Sequence, residues 1–554
     1  MIQPCRAGGE HSRNSVPGMR RRGAISIGLI LFLIAACAST GEQSPISERF
    51  ATDAAGALFS GAYRQIRDFY LDPVSIETLA EAGIASLDGD HGGIVIDQAA
   101  HLVSLREQGA EVNRLPLPDS DDADGWAAVT SAAITAAHTH DPSLAGATDE
   151  QLFQHVFDGI TSKLDRFTRY AGADAARDQR ASRDGFGGVG ITLDYSEAEP
   201  KITVVVPDGP AARAGLKIDD KLTAIDNYPT AGLERSQIQQ RLRGRIETRV
   251  SMTVQRPQHD RPITVSAYRS LIVPVSVTAE HQDGIAIFHV TGFNAETAKS
   301  LGKELAKARS EMGKSLVGIV LDLRGNPGGL LDQAVDVASV FLPHGQVVST
   351  KGRHPTSMQD FEANGSDQSH GLPLVVLVNG GSASSAEIVT AALQDHGRAV
   401  VIGTSTYGKG TVQMVVTLEN TGELTLTWAR LITPAGTILH QHGIVPAFCT
   451  SEPINPTAPP EDPAAHLARL LEKGLHPTPG MATRPRPSLP DTDWEALRKA
   501  CPAETRDTGL DLKVATALLK DPVLYAQAIG LPGIAVAEDP ARDSGGHAMR
   551  SALQ

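Results

Sequence analysis

Three serines lie in a loop where one of them could act as a nucleophile. Ser382, Ser384 and Ser385 belong to the segment 379–387, which follows the apolar run 374–378 and precedes a helical pattern. The serines are therefore expected near a helix N-terminus, where the dipole and free N–H groups favour negative charge. A serine in this position is suited to attack an acyl carbon.

Such a serine needs a base, and the sequence offers Lys409 and His396. Lysine works as a base only when burial lowers its pKa from ~10.4 to ~7–8. Gly408 and Gly410 would let the backbone pack closely around Lys409. His396 follows Asp395, but neighbouring helical residues point about 100° apart, so the two side chains cannot easily share one site. His396 is instead expected to face solvent.

A third segment, 322–329, reads Asp-Leu-Arg-Gly-Asn-Pro-Gly-Gly and ends an apolar strand. Its glycines leave backbone N–H groups unobstructed, so the turn suits an oxyanion. Glu387 and Arg324 each have an ordinary interpretation beside a functional one, as a first-turn helix acid and as an ion-pair partner of the strand end. The run 403–409 resembles the start of a phosphate-binding loop, but Gly410 stands where Ser or Thr must hold magnesium. This excludes an ATPase.

These loops need a layered scaffold. Residues 280–448 alternate between strand and helix patterns, with strands at 285–290, 316–323, 374–378 and 399–402 and helices at 295–310, 330–341 and 385–394. This alternation predicts an α/β architecture. Before it, between residues 45 and 170, apolar residues recur at helical spacing, interrupted by an acidic, turn-rich stretch at 115–125.

The loops together resemble the carboxy-terminal processing proteases, the S41 family of Ser–Lys peptidases. The resemblance rests on Gly-Ser-Ala-Ser-Ser-Ala-Glu-Ile, Tyr-Gly-Lys-Gly-Thr-Val-Gln and the turn at 322–329. In that family nucleophile and base are 25 residues apart, which selects Ser384 with Lys409. The resemblance further implies Gln413 as the residue that orients the lysine and Asp395 as a supporting acid. It also implies an oxyanion hole made by the N–H groups of Gly328 and Ser385.

The chain departs from this family pattern in two places. Ser385 is an extra hydroxyl beside the nucleophile, and Ala386 replaces the last serine of the usual Ser-Ala-Ser-Ala-Ser-Glu. The usual Leu-Asp-Pro-His-Ser-x-Tyr is here Leu-Asp-Arg-Phe-Thr-Arg-Tyr at 164–170. The long N-terminal region is therefore a place where this chain could have a role of its own.

Residues 181–270 resemble a PDZ domain, with Gly-rich turns, β-branched runs and a short helix in the expected order. The resemblance implies that the loop of Gly188, Val189, Gly190 and Ile191 receives the C-terminal carboxylate of a peptide, and that the neighbouring strand edge pairs with the peptide. Proteins or peptides with free apolar C-termini are then the expected partners.

The start of the chain has the pattern of a secretory signal. Three arginines at 20–22 precede an uncharged apolar run that ends at Ala36, which is shorter than the ~20 residues of a membrane-spanning helix. The small pair before Cys37 resembles a bacterial lipobox, which predicts a signal peptide at 1–36, a true start at Met19 and lipid on Cys37. The expected location is the periplasm, anchored to the membrane, with Ala38 favouring the outer membrane.

Once the signal is removed and Cys37 is lipidated, only Cys449 and Cys501 remain as thiols in an oxidising compartment. We expect them to form a disulfide across a Pro-rich linker at 449–490. The bridge would attach a small helical segment in 491–554, whose end is expected to be a disordered tail, to the protease domain. The cysteine positions match no zinc-ligand spacing, so no structural metal is expected.

The predicted protein therefore has an α/β fold, with a ClpP/crotonase-like protease core at 271–448, a PDZ domain inserted or preceding at 181–270, and a helical N-terminal region at 37–180. Its predicted function is that of a serine endopeptidase without a cofactor, with an adaptor lipoprotein as a further partner. The net charge of −14 argues against nucleic acid as a partner. The alternative is a catalytically inactive PDZ scaffold of the same fold.

Overall fold

The computed structural model describes residues 46–87, 93–97, 99–107, 110–451, 491–506 and 509–529. Several predictions lie outside these ranges: the signal peptide at 1–36, the start at Met19, the lipidation of Cys37, most of the linker at 449–490 and the tail after residue 529. From Arg49 onward the described residues belong to one compact unit. Within these ranges no helix is both long and apolar enough to cross a lipid bilayer.

The N-terminal region is mainly helical, as predicted, and its apolar stripes form one core. Leu58, Ile66, Leu152, Val156 and Ile160 are each at most 1% exposed. The elements are α1 (Ile46–Phe69), α2 (Ile76–Ala85), β1 (Gly93–Asp97), β2 (Leu102–Glu107), β3 (Ala110–Pro116), α3 (Ala123–His140), α4 (Asp149–Thr161), β4 (Arg169–Ala171) and α5 (Ala173–Asp184).

An antiparallel sheet, β1-β2-β3, lies between α2 and α3 and was not predicted from the sequence. Val103 and Leu105 on β2 are buried and separated by the less buried Ser104, so the apolar period is two, as in a strand that has one face on a core. The strands have only five to seven residues each. The prediction of a helical region was therefore correct for its helices and too coarse for this insertion.

The PDZ region forms a five-strand path in the order β11-β10-β8-β7-β6, to which β9 is attached through β8. A separate pair, β5 with β12, joins the start of the region to its end. The elements are β5 (Phe186–Gly188), β6 (Ile191–Asp194), β7 (Lys201–Val205), α6 (Pro210–Arg213), β8 (Lys221–Ile225), β9 (Tyr228–Pro229), α7 (Arg235–Leu242), β10 (Arg249–Gln255), β11 (Ile263–Tyr268) and β12 (Ser270–Ile272).

The protease core contains a six-stranded sheet in the order β13-β14-β15-β18-β19-β22, parallel except for its first pair. Every residue of β15 and β18 is buried because helices cover both faces. The elements are β13 (Val277–Gln282), β14 (Ile285–Val290), α8 (Thr297–Met312), β15 (Gly318–Asp322), α9 (Leu331–Ser339), β16 (Gln346–Gly352), β17 (Gln359–Glu362), β18 (Leu374–Val378), α10 (Ser385–Asp395), β19 (Val400–Gly403), β20 (Thr411–Thr417), β21 (Glu423–Ile432) and β22 (Phe448–Cys449).

A second sheet has the order β17-β16-β21-β20, in which β20 and β21 follow the lysine turn. Strand β4 of the N-terminal region pairs with β21. The buried carboxylate of Glu423 on β21 forms ion pairs with Arg180 and Arg183 of α5, at 2.9 and 3.2 Å. The residues just before the PDZ domain are therefore attached directly to the protease core.

The C-terminal segment consists of α11 (Asp491–Ala500), α12 (Leu510–Lys520) and α13 (Pro522–Ala528). Val514 and Leu518 of α12 pack against Val320 and Val375, which point to the face of the parallel sheet opposite α8, α9 and α10. Cys449 and Cys501 form a disulfide with their Cα atoms 5.8 Å apart. The predicted pairing, and its role in attaching this segment to the protease core, are confirmed.

Candidate active site

The three loops singled out in the sequence follow β15, β18 and β19, which are adjacent and parallel. Their carboxyl ends therefore meet at one edge of the sheet, the usual place for a site in an open α/β sheet. A cleft of about 720 Å³ opens there and is lined, among others, by Gly328, Ser384, Ser385, Lys409 and Gln413. The fold thus brings together all but one of the residues predicted for catalysis.

Ser384 lies at the N-terminus of α10 with φ 55° and ψ −116°, a backbone conformation that residues other than glycine rarely adopt. The Gly-rich turn packs against it. A Cβ added to Gly328 would lie 2.8 Å from the Cβ of Ser384, so only glycine allows this approach. The sharp turn presents the serine to the cleft.

Lys409 is half-buried on the opposite wall of the cleft. Burial lowers its pKa, the charge of Arg169 lowers it further, and Asp165 and Glu387 oppose the change. Its Nζ lies 5.1 Å from the ring centroid of Phe167. Phe167 occupies the position of the family's usual histidine. Within the described part of the chain the Lys409 ammonium donates no hydrogen bond.

Glu387 is the site residue whose importance the sequence analysis underestimated. Its side chain is 0% exposed. One carboxylate oxygen accepts hydrogen bonds from the N–H groups of Ser384 and Lys409, at 2.8 and 2.9 Å. The other accepts from the Gly408 N–H at 2.7 Å and from the Thr406 hydroxyl. A single carboxylate therefore connects the backbone of Ser384 to the backbone of Lys409.

Burial raises the pKa of Glu387, and the hydrogen bonds from the Thr406 hydroxyl and three backbone N–H groups oppose that rise. The signal for its role was present in the sequence. Glu387 is the third residue after Ser384, and an acid at that position of a helix can accept a hydrogen bond from the N–H of the residue that begins it. Nothing in the local sequence indicated the lysine turn as its second partner.

Asp395 is the predicted site residue that the fold does not bring to the cleft. It ends α10, whereas Ser384 precedes the helix, and eleven residues of helix separate them by roughly 15 Å. Its carboxylate accepts a hydrogen bond from the Ala435 N–H at 3.0 Å. The prediction that Asp395 lies near the site is wrong, because the α-helix carries it away along its axis.

His396 is exposed, as expected, and its Nε2 lies 2.7 Å from the carbonyl oxygen of Gln346, away from the cleft. Gln413 lines the cleft, and its side-chain NH₂ donates to the hydroxyls of Thr411 and Thr427, at 2.9 and 3.2 Å. Among the described residues its amide oxygen accepts no hydrogen bond from the Lys409 ammonium. Thr427 in turn donates to Asp165 at 3.0 Å. A role of Gln413 in orienting Lys409 stays a prediction.

The two N–H groups predicted for the oxyanion hole differ in this structure. The Gly328 N–H donates to the side-chain oxygen of Asn326 at 2.8 Å, and Asn326 is itself completely buried. The Ser385 N–H has no acceptor among the described residues. The donor that is free to receive an oxyanion is thus the one at the start of α10.

The loop predicted to bind peptide C-termini lines a second, smaller cavity of about 200 Å³. Gly188, Val189, Gly190 and Ile191 form one side, and α7 forms the other with Arg235 and Arg243, among others. Arg243 lies over the ring of Phe186 at 4.4 Å and pairs with Asp178 of α5 at 2.6 Å. The groove therefore combines a glycine-rich loop, apolar side chains and two arginines.

Comparison with known proteins decides the family. Residues 284–448 match the model of peptidase family S41, and residues 201–256 match a PDZ domain model. The carboxy-terminal-processing protease of Bartonella bacilliformis is 36% identical over 308 residues, covering 55% of this chain and 71% of that protein. The chain belongs to the carboxy-terminal processing proteases of peptidase family S41. The protein is accordingly a serine peptidase with a PDZ domain.

One further relative agrees with this membership, and one solved structure is similar. The carboxyl-terminal-processing protease of Synechocystis is 31% identical over 313 residues, which cover 55% of this chain and 72% of the relative. A solved structure, the photosystem II D1 C-terminal processing protease, is 21% identical and aligns over 74% of this chain and 95% of its own, with a TM-score of 0.35. The matched protease model ends at residue 448, so this S41 protease carries its C-terminal segment outside the matched domain.

Proposed function

We propose that this S41 protease is a lipid-anchored periplasmic endopeptidase that cleaves peptide bonds with Ser384 as nucleophile and Lys409 as base. The observation that carries the proposal is that both side chains line one cleft and that burial lowers the pKa of the lysine. A neutral amine can take the proton of a serine hydroxyl, whereas an ammonium cannot.

In the first half of the reaction, the Ser384 hydroxyl gives its proton to the Lys409 amine while its oxygen bonds to the carbonyl carbon of the substrate. The resulting oxyanion is stabilised by the Ser385 N–H and the positive end of α10. Lys409 then passes the proton to the leaving amine, and the C–N bond breaks. An acyl-enzyme on Ser384 and a peptide with a new N-terminus result.

In the second half, Lys409 takes a proton from water, whose oxygen attacks the ester carbon. The collapse of this intermediate returns the proton to Ser384 and releases a peptide with a new carboxylate. Serine and lysine are not hydrogen-bonded in the described structure, and catalytic hydrogen bonds of this kind often tighten only when substrate is bound. Glu387 holds the backbone of both residues during the cycle.

The PDZ groove is proposed to select substrates that end in a free apolar residue. Backbone N–H groups in the loop of Gly188, Val189, Gly190 and Ile191 would receive the carboxylate, and the edge of β6 would pair with the peptide. Arg235 and Arg243 on the same groove favour a negative chain end.

Lipid on Cys37 would keep the enzyme at the membrane, with the outer membrane favoured by Ala38.

The nucleophile and base are tested by single substitutions assayed on an unfolded protein such as β-casein. Ser384→Ala and Lys409→Ala should each abolish cleavage while circular dichroism stays unchanged. His396→Ala is the matched control, since this exposed residue lies outside the cleft, and it should retain most activity. Gln413→Ala should lower the rate less than Lys409→Ala. Equal loss in His396→Ala and Lys409→Ala would contradict the proposed pair.

The anchor is tested separately in the native host. Cys37→Ser should abolish fatty-acid labelling and move the protein from the membrane fraction to the soluble periplasmic fraction. Wild-type protein that is soluble and unlabelled would show that the lipobox interpretation is wrong, without bearing on the Ser–Lys mechanism.

A further inference from the structure

The C-terminal segment touches all three loops that line the active-site cleft. The carbonyl oxygen of Glu504 accepts from the N–H of Gly380, in the nucleophile loop, at 2.7 Å and from the Thr404 hydroxyl at 3.1 Å. The carboxylate of Asp511 lies 3.3 Å from Arg324, in the Gly-rich turn. These contacts come from residues beyond the matched protease domain.

Arg498 of α11 is the member of this segment that reaches the lysine turn. Its Nη1 donates to the carbonyl oxygens of Thr406 and His442, at 3.0 and 2.7 Å. A Cβ on Gly443 would lie 2.8 Å from this nitrogen, so the guanidinium packs directly on that glycine. Arg498 therefore holds the backbone of Thr406, three residues before Lys409, and does not itself line the cleft.

The same contact leads to Glu387. The hydroxyl of Thr406 donates to Glu387, while the carbonyl of Thr406 accepts from Arg498. The negative charge of Glu387 also acts on Arg498, where it opposes the fall in pKa that burial causes. A positive charge that attracts the carboxylate favours its ionised form, which is the form that accepts all of its hydrogen bonds.

Covalent and polar links hold Arg498 in place. Cys501, three residues further on, is bonded to Cys449 at the end of β22. The carbonyl oxygen of Cys501 accepts from the Ser405 hydroxyl, which is completely buried. The end of α11 is therefore attached to the core through Ser405, which precedes Lys409 in the chain, and through Cys449, which follows it.

We propose that Arg498 is a positioning residue for catalysis, and that the disulfide-held C-terminal segment keeps the lysine turn in its working geometry. This rests on the proposed roles of Ser384 and Lys409. Without Arg498 the lysine turn loses its support and Lys409 becomes more hydrated. Hydration favours the ammonium, so the neutral amine is less populated at a given pH.

The test compares Arg498→Ala with Lys499→Ala, its exposed neighbour on the same helix, in the full-length protein. Cleavage of β-casein and labelling of the active serine by a fluorophosphonate probe are followed from pH 5 to 10. Arg498→Ala should lower kcat on the order of tenfold to hundredfold with little change in KM, since small misplacements of a catalytic group cost about that much. Arg498→Lys should fall between the two.

The pH profile separates positioning from a general loss of folded protein. The base works when deprotonated, so a higher pKa of Lys409, which is surrounded by Arg169, Asp165 and Glu387, moves the rising limb to higher pH in Arg498→Ala. A smaller folded fraction would lower the rate at every pH and leave the midpoint unchanged. An Arg498→Ala protein with kcat within twofold of Lys499→Ala and the same midpoint would overturn the proposal.

If Arg498→Ala does not fold, the folded wild-type enzyme is treated with dithiothreitol. The reagent gives two electrons and two protons to the sulfurs of Cys449 and Cys501 and becomes its cyclic disulfide. A fall in labelling rate with a shifted midpoint supports the proposal, and an unchanged profile of the reduced enzyme refutes it. Ser384→Ala is assayed alongside, since cleavage by that variant would refute the proposed nucleophile instead.

Discussion

Replacing Glu387 by glutamine tests whether one buried carboxylate aligns Ser384 and Lys409, the proposed nucleophile and base. Each of its oxygens accepts two hydrogen bonds, from four donors in all. Glutamine has the same shape but keeps a single acceptor oxygen, so one pair of donors must face an NH₂ group. Either Ser384 and Lys409 or Thr406 and Gly408 then lose their acceptor.

The magnitude follows from the number of bonds lost. A hydrogen bond to a charged group contributes roughly 1.5–3 kcal/mol, so losing two should reduce stability by about 3–6 kcal/mol. That is a large part of the ~5–15 kcal/mol by which domains are stable. The two loops would relax apart, and displacement of about 1 Å at the reacting groups lowers rates on the order of a hundredfold.

The assay combines thermal unfolding with kcat on a peptide substrate. Asp395→Asn is the matched control, because this half-buried carboxylate ends the same helix away from the cleft, and the amide oxygen of asparagine can still accept the hydrogen bond from Ala435. This variant should keep a kcat close to that of wild type. Glu387→Asp should be intermediate, since its shorter side chain keeps the charge but not the reach. A Glu387→Gln enzyme with the melting temperature and kcat of wild type would refute the assigned role.

Three further predictions concern other groups. Because burial lowers the pKa of Lys409, kcat/KM should rise with pH through a midpoint below the pKa of free lysine; a profile that rises only near the pKa of free lysine would contradict this. Full-length Ser384→Ala should bind peptides with free apolar C-termini and lose them on C-terminal amidation, as measured by fluorescence anisotropy, and equal binding of both forms would exclude carboxylate capture. Burial alone would raise the pKa of Asp322, but hydrogen bonds from His289 and Arg324 outweigh it and hold that pKa at about 2. The resulting stability, roughly 2 kcal/mol, is present above pH ~4 and lost as the pH falls towards 2, so Asp322→Asn should flatten acid unfolding in that range.

Local patterns predicted the scaffold of the site well. The fully apolar runs of β15 and β18 indicated buried parallel strands, and their ends placed the three loops at one edge. The pairing of Cys449 with Cys501 followed from compartment and number alone. Each of these predictions needed only the residue types within a short segment or the number of cysteines.

Features that depend on long-range packing could not be predicted in the same way. Glu387 owes its importance to a turn about twenty residues later, and Arg498 to one about ninety residues earlier. Asp395 was misplaced because adjacency in a motif does not give position along a helix axis. The sheet β1-β2-β3 was missed because its short strands lie between long helical patterns that dominate their surroundings.

The backbone of Ser384 has an evolutionary consequence. Its φ of 55° and ψ of −116° disfavour every side chain, at a cost of order 1–3 kcal/mol that surrounding structure must offset. Glycine would relieve that cost but has no hydroxyl. Catalysis and folding stability therefore favour different residues at position 384. A protein that no longer needed proteolysis would gain stability from a Ser384→Gly substitution. Catalytically inactive proteins of this fold that have lost this serine should accordingly have higher melting temperatures than active ones.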